Sequence, residues 1–146
     1  MNYKHTQIGY LIPIVLLAVA LLFGSILAQT GFNIPLIILM ILILFILASF
    51  GSLQVMIDGN YLQIKFGYGI FRNAFSLNDI ASVKTVKNHW YYGWGIRWWL
   101  WPRMWIYNVS GFDAVEIAMK SGKRYRIGTD EPKKLEQVLL HSIKQQ

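Results

Sequence analysis

The sequence predicts an α+β membrane protein, in which a transmembrane α-hairpin is followed by a small antiparallel β-barrel or sandwich closed by one C-terminal helix. Three observations lead there. No Asp, Glu, Lys, Arg or His occurs from residue 6 to residue 57. From residue 52 the apolar residues recur at every second position, the period of a half-buried strand. After Gly128 a single apolar stripe at helical spacing ends the chain.

Of the 146 residues, 55% are hydrophobic and 14% charged, with a mean hydropathy of +0.39. A soluble domain carries about 25% charged residues, and the deficit lies in the N-terminal part. Two apolar runs are found there. At ~1.5 Å per residue, residues 8–28 reach about 32 Å and residues 34–50 roughly 26 Å, lengths suited to a bilayer core. Pro13 and Pro35 fall in first turns, where a missing N–H is tolerated. Gln29, Thr30, Gly31, Phe32 and Asn33 reverse the chain but cannot host a domain. The expected division is a membrane anchor over 1–51 and a soluble domain over 52–146. A cleaved signal peptide is the rival reading of the first run, with Lys4 as its basic region; the length of the run and the second apolar segment favour the hairpin. Lys4 before the first helix and a basic domain after the second put both termini in the cytoplasm. Nothing ionisable lies at membrane depth, which argues for an anchor and against an ion or proton path.

The chain has no cysteine, which excludes disulfides, thiolate metal sites and a cysteine nucleophile. Net charge is +7, and residues 52–146 hold 13 basic and 7 acidic residues. Such a balance suits nucleic acid, an anionic lipid surface, or simply the cytoplasmic side of a membrane.

Leu53, Val55 and Ile57 alternate with Gln54, Met56 and Asp58 up to a turn at Asp58-Gly59-Asn60, and Leu62, Ile64 and Phe66 continue as a hairpin. A third strand is predicted over 71–77, and another over 80–87 with Val83 and Val86 facing the core. Val115, Ile117 and Met119 form a further strand, Ser121-Gly122 a turn, and Tyr125 and Ile127 the last strand. Thr129 or Asp130 suits an N-cap, with Pro132 in the first helical turn. Leu135, Val138, Leu139, Ser142 and Ile143 make the stripe that a sheet can cover.

The segments SLQVMIDGNYLQIKFGYGIF, SLNDIASVK and YNVSGFDAVEIAMKSGKRYRIGTDEP, followed by the closing helix, resemble the bacterial pleckstrin-homology-like (PH-like) domain family over most of 52–146. The resemblance implies a non-catalytic binding or scaffolding module, often carried by a pair of transmembrane helices, here in a bacterial inner (cell) membrane. One departure matters. Phosphoinositide-binding PH domains cluster Lys and Arg around their first strand turn, whereas here that turn is the acidic Asp58-Gly59-Asn60, so inositol-phosphate binding is not carried over.

All six tryptophans lie within residues 90–105, and nine aromatics within 90–107. Gly93, Gly95 and Pro102 interrupt the segment, so a loop flanking a short strand is expected. Tyr and Trp favour the membrane–water boundary. On that reading Trp94, Arg97, Trp98, Trp99, Trp101, Arg103 and Trp105 form a lipid interface, with the arginines on phosphates. Lys84, Lys87, Lys120, Lys123, Arg124 and Arg126 extend the basic surface. Two other roles stay open: packing against the chain's own helices, and contact with a protein partner, for which Trp, Tyr and Arg are also enriched.

No catalytic constellation assembles from the sequence. His5, His89 and His141 are scattered, and HExxH, GxSxG, phosphate-loop and zinc spacings are absent. No cofactor is expected. Nucleic-acid stacking platforms spread aromatics over exposed strand faces, unlike this single cluster, so no nucleic-acid partner is expected. The function expected is non-enzymatic: an aromatic and basic surface held at the cytoplasmic face for anionic lipid headgroups. The alternative is an accessory or scaffold subunit that binds another membrane-associated protein.

Overall fold

The computed structural model of the chain describes residues 2–100 and 103–146. Its first element is a strand, β1 (Tyr3–Ile8), antiparallel to β2 (Ser52–Asp58), with Tyr3 opposite Ile57 and Ile8 opposite Ser52. Residues 3–8, expected in the anchor, therefore belong to a sheet, and the first helix starts at Leu11 instead of near residue 8. The cause is the open edge of β2, whose backbone N–H and C=O groups need partners. Side chains hold the strand in place. Tyr3 donates to a Glu131 carboxylate oxygen at 3.2 Å, His5 contacts Asp130, and Gln7 Nε2 donates to Ser110 Oγ at 3.0 Å.

Between β1 and β2 stand two helices packed on each other, α1 (Leu11–Thr30) and α2 (Ile34–Ala48). Among the described residues α1 is the one helix long and apolar enough to cross a membrane. The second run, expected to span 34–50, is helical for only 15 residues, about 22 Å at ~1.5 Å per residue. Ser49 ends it by turning its hydroxyl back onto the Ile46 carbonyl. Asn33 starts it, accepting from the Leu36 N–H at 3.2 Å. Both helices are apolar all round and mostly exposed; Phe23 is their one buried residue.

The rest is β3 (Tyr61–Phe66), β4 (Phe71–Ser76), β5 (Ile80–Lys87), β6 (Gly95–Leu100), β7 (Arg103–Asn108), β8 (Asp113–Met119), β9 (Arg124–Gly128) and α3 (Pro132–Lys144). One sheet has the order β1-β2-β3-β4 and the other β5-β8-β9-β7-β6. The pairings are antiparallel except β7 with β9, which is parallel and departs from the all-antiparallel expectation. The chain leaves a gap one strand wide between β7 and β8, and β9 fills it after two reversals.

Leu53, Val55, Ile57, Leu62, Ile64 and Phe66 of the first sheet meet Val83, Val115, Ile117 and Ile127 of the second. Leu135 and Leu139 of α3 seal the core over β5 and β8. An irregularity between Ile80 and Ser82 resets the alternation of β5. Val83 is buried by it, while Val86, expected in the core, pairs with Ala114 on the opposite face. Glu131, not the expected Thr129 or Asp130, takes the N-cap position of α3 and makes no side-chain cap bond; Thr129 Oγ1 instead accepts from the Glu131 N–H at 3.1 Å, in the turn before the helix begins at Pro132.

The helices meet the sheets at a tight junction. Gly9 N–H donates to the Gly51 carbonyl at 2.9 Å and Gly67 N–H to the Ser52 carbonyl at 3.0 Å. Phe50 packs on Phe66 and Phe71, and Phe45 stacks on Tyr68 at 5.3 Å. Gly67 has φ +47°, and a Cβ there would lie 2.3 Å from the Ser49 carbonyl oxygen.

Two predictions follow from these contacts. Gly59 also has positive φ but open space around it, so Gly59→Ala meets left-handed strain alone, about 1–2 kcal/mol. Gly67→Ala adds a backbone overlap and should cost at least about twice as much; equal thermal midpoints for the two variants in detergent would refute the junction. Burial, reinforced by Glu131, raises the Tyr3 hydroxyl above its ordinary pKa. Burial raises Tyr107 as well, against an opposing hydrogen bond from Asn73. Above about pH 10 the unfolded tyrosines ionise while the folded ones keep their protons, so stability falls by at most ~1.4 kcal/mol per pH unit for each. Below pH 10 this contribution is flat. Thermal melts from pH 8 to 11 should show the alkaline decline, and it should be shallower in Tyr107→Phe.

Candidate functional site

The aromatic segment is more regular than the expected loop. A 3₁₀ turn over Trp90–Tyr92 leads into the antiparallel pair β6–β7, with Arg97 opposite Ile106, Trp98 opposite Trp105 and Trp99 opposite Met104. In GIRWWL and RMWIYN the side chains alternate, and each strand sends one set to either face of the sheet. The glycines that suggested interruption lie before and at the start of β6.

On the inner face the register runs Trp98–Trp105–Tyr125–Ile117–Val83 across all five strands. Burial fades along that row. Ile117 is fully buried, whereas Trp105 is 40% and Trp98 51% exposed. Leu100, next along β6, is 66% exposed and paired with the exposed Arg103. The two indoles thus continue the core beyond the cover of the first sheet. At its inner limit Asn73 of β4 donates to the Tyr107 hydroxyl at 3.1 Å and ties the two sheets together.

The outer face reads Arg97–Ile106–Arg126–Glu116–Lys84. Tyr92 covers Met104 and Ile106, and half-buried Trp99 packs on Tyr92 at 4.9 Å and on Tyr91 at 5.5 Å. Trp99 is therefore a packing residue on the face opposite Trp98. Glu116 is buried and lies 3.1 Å from Arg126, 3.5 Å from Arg124 and 4.0 Å from Lys84. Arg126 also donates to Asn88 Oδ1 at 3.3 Å, and its guanidinium lies 5.6 Å from the Tyr92 ring centre. One carboxylate thus faces three cations, and the face stays positive.

Trp94 sits apart from these rows, beside Phe112, with its buried Nε1 lacking an acceptor among the described residues. Arg97 Nε donates to the Trp94 carbonyl at 3.3 Å. Trp101 lies outside the described residues. Of the expected cationic extension, Lys84, Arg124 and Arg126 share the outer face, Lys87 lies 3.9 Å from Asp113, and Lys120 and Lys123 flank the β8–β9 turn. Sequence reasoning left out Leu100 and the central role of Glu116. The alternation of GIRWWL carried a signal for the first. The second depends on β8 and β9 being neighbours. No family model matches the chain, and no curated protein matches it.

Glu116→Gln leaves half-buried Arg126 without a charged partner and should lower stability by about 1–3 kcal/mol. Adding Arg126→Gln should cost less than the sum of the two single changes. A double-mutant cycle by thermal or denaturant melting measures the coupling, and strict additivity would refute the pair.

Proposed function

We propose that the chain is an integral protein of a bacterial inner membrane, crossed twice by α1 and α2, whose β-rich part is a PH-like binding module on the cytoplasmic side. The pairing of Ile8 with Ser52 supports two crossings. The chain leaves the sheet at Ile8 and returns to it at Ser52, so if α1 spans a bilayer, α2 must bring the chain back. The shortfall of α2 against a hydrocarbon core of ~30 Å is met by local thinning of the bilayer. Exposed apolar side chains around both helices support burial in lipid. Lys4 and the positive outer face support the cytoplasmic orientation. Two sheets around one core, closed by α3, support the PH-like reading.

The module is non-enzymatic and binds anionic lipid headgroups. The observation that carries this is the exposed strip of Trp98, Trp105 and Leu100, with Arg103 on the same face of the sheet. Indole rings suit the boundary between chain and headgroup, and each cation adds about 1 kcal/mol near an anionic surface. The three histidines, in separate contacts with Asp130, Tyr91 and Gln145, support a binding role over a catalytic one. A second reading rests on β6 as an outer strand of its sheet: its free edge suits a strand from another membrane-associated protein, for which this chain would be an accessory or scaffold subunit.

The two readings separate on protein-free vesicles. Replacing residues 10–50 by Asn-Gly closes β1 onto β2 as a hairpin and removes the helices. That domain should float with phosphatidylcholine–phosphatidylglycerol vesicles at low salt, with a blue shift of Trp fluorescence, and be released at high salt. Trp98→Ala with Trp105→Ala should weaken flotation about tenfold or more. A folded domain that stays unbound would reject the lipid reading in favour of the protein partner.

A further inference from the structure

Where α1 and α2 meet β6 there is a cleft of about 360 Å³, walled by Leu11, Val15, Leu47 and Phe50 on the helix side and by Trp94 and Arg97 on the sheet side. Arg97 is the one charged residue among those that line it. Arg97 is exposed, its Nε donates to the Trp94 carbonyl at 3.3 Å, and its guanidinium lies against Gly93. No carboxylate pairs with it among the described residues. A planar cation oriented this way, with its two terminal nitrogens free of carboxylate, presents a fork that matches a phosphate. The wall beside it is built from the first turns of α1 and the last turn of α2, the level at which acyl chains give way to headgroups if the helices cross a bilayer.

We propose that this cleft is a binding site for a single anionic glycerophospholipid, with the phosphate on Arg97 and one acyl chain along Leu11, Val15 and Leu47. The site rests on the two-crossing reading above and deepens it: beside the broad surface of β6 and β7, the junction holds one lipid molecule in a defined place. Charge complementarity selects the headgroup, because Arg97 has no competing anion in the cleft. The apolar wall selects a lipid over a free phosphate ester, which would leave Leu11, Val15 and Leu47 uncovered. The bound lipid would pack the anchor against the domain.

The test uses the full chain in detergent micelles, titrated with phosphatidylglycerol and followed by native mass spectrometry. Wild type should retain one lipid more tightly than the rest, and phosphatidylcholine should not replace it. Arg97→Gln should reduce that retention about tenfold, the weight of a charge-assisted contact. Val15→Trp, which fills the cleft and leaves the charge, should do the same. Lys133→Gln, on the exposed side of α3, removes an equal charge and should retain the lipid. Glycerol phosphate should not compete at concentrations where phosphatidylglycerol saturates. Retention unchanged in both Arg97→Gln and Val15→Trp would overturn the site, as would equal retention of phosphatidylcholine. Alkaline extraction of membranes separates the two levels of failure. A chain released by it overturns the anchor and the site together, whereas an embedded chain with Arg97-independent retention overturns the site alone.

Discussion

The antiparallel pairing of Tyr3–Ile8 with Ser52–Asp58 is the constraint on which the rest of the structure depends. It turns the two apolar helices into an insertion between neighbouring strands. An insertion of that kind must leave and return at one point, which fixes α1 and α2 as antiparallel neighbours. It also supplies the partner that the β2 edge needs. Tyr3 and Gln7 on the inward side of β1 then reach Glu131 and Ser110, so the short N-terminal strand ties the helix pair, both sheets and the start of α3 together. The close approach at Gly67 and Gly9 follows from the same constraint. Backbone meets backbone where the helices leave the sheet, and a side chain would not fit.

The second sheet has five strands, while the first has four and sits over only part of it. Helix α3 covers the β5–β8 side, and β4 reaches as far as Tyr107 through Asn73. The β6 edge is left over. A row that is fully buried at Ile117 therefore emerges at Trp105 and Trp98, and residues of the chemical kind that fill a core become a surface. The opposite face of the same strands is closed by Tyr92 and Trp99 over Met104 and Ile106. Four tryptophans close in sequence thus take different parts: Trp94 at the helix junction, Trp99 in packing, Trp98 and Trp105 in the exposed strip.

Electrostatics follows the same geometry. Lys84, Glu116, Arg126 and Arg97 are spread along the chain, yet they fall in one cross-strand row because β5, β8, β9, β7 and β6 are ordered that way. A buried carboxylate among three cations is a costly arrangement unless every group is paired or wet. Here Arg126 is also held by Asn88 and lies against Tyr92, while Arg124 and Lys84 keep contact with water. Arg97, at the far end of the row, is the cation left for the helix junction.

Much of this was legible in the sequence. The charge-free stretch marked the two apolar helices, the period of two marked β2, β3, β8 and β9, and the Leu135–Leu139 stripe marked the closing face of α3. These signals are local: a segment that buries one face writes its period into its own residues. What escaped was decided between distant segments. Tyr3–Ile8 carries Lys4, His5, Thr6 and Gln7, with too little apolar alternation to announce a strand, and becomes one because β2 has an open edge. The glycines around residue 94 hid the regular β6–β7 pair, and the parallel match of β7 with β9 required β9 to enter a gap that no single segment describes. The sequence by itself determined which residues were apolar, aromatic or charged, and roughly where helices and strands would form. Only the tertiary structure decided which tryptophans are covered, which arginine faces the helices, and that both helices stand on one pair of hydrogen-bonded strands, because coverage and pairing are properties of neighbours in space.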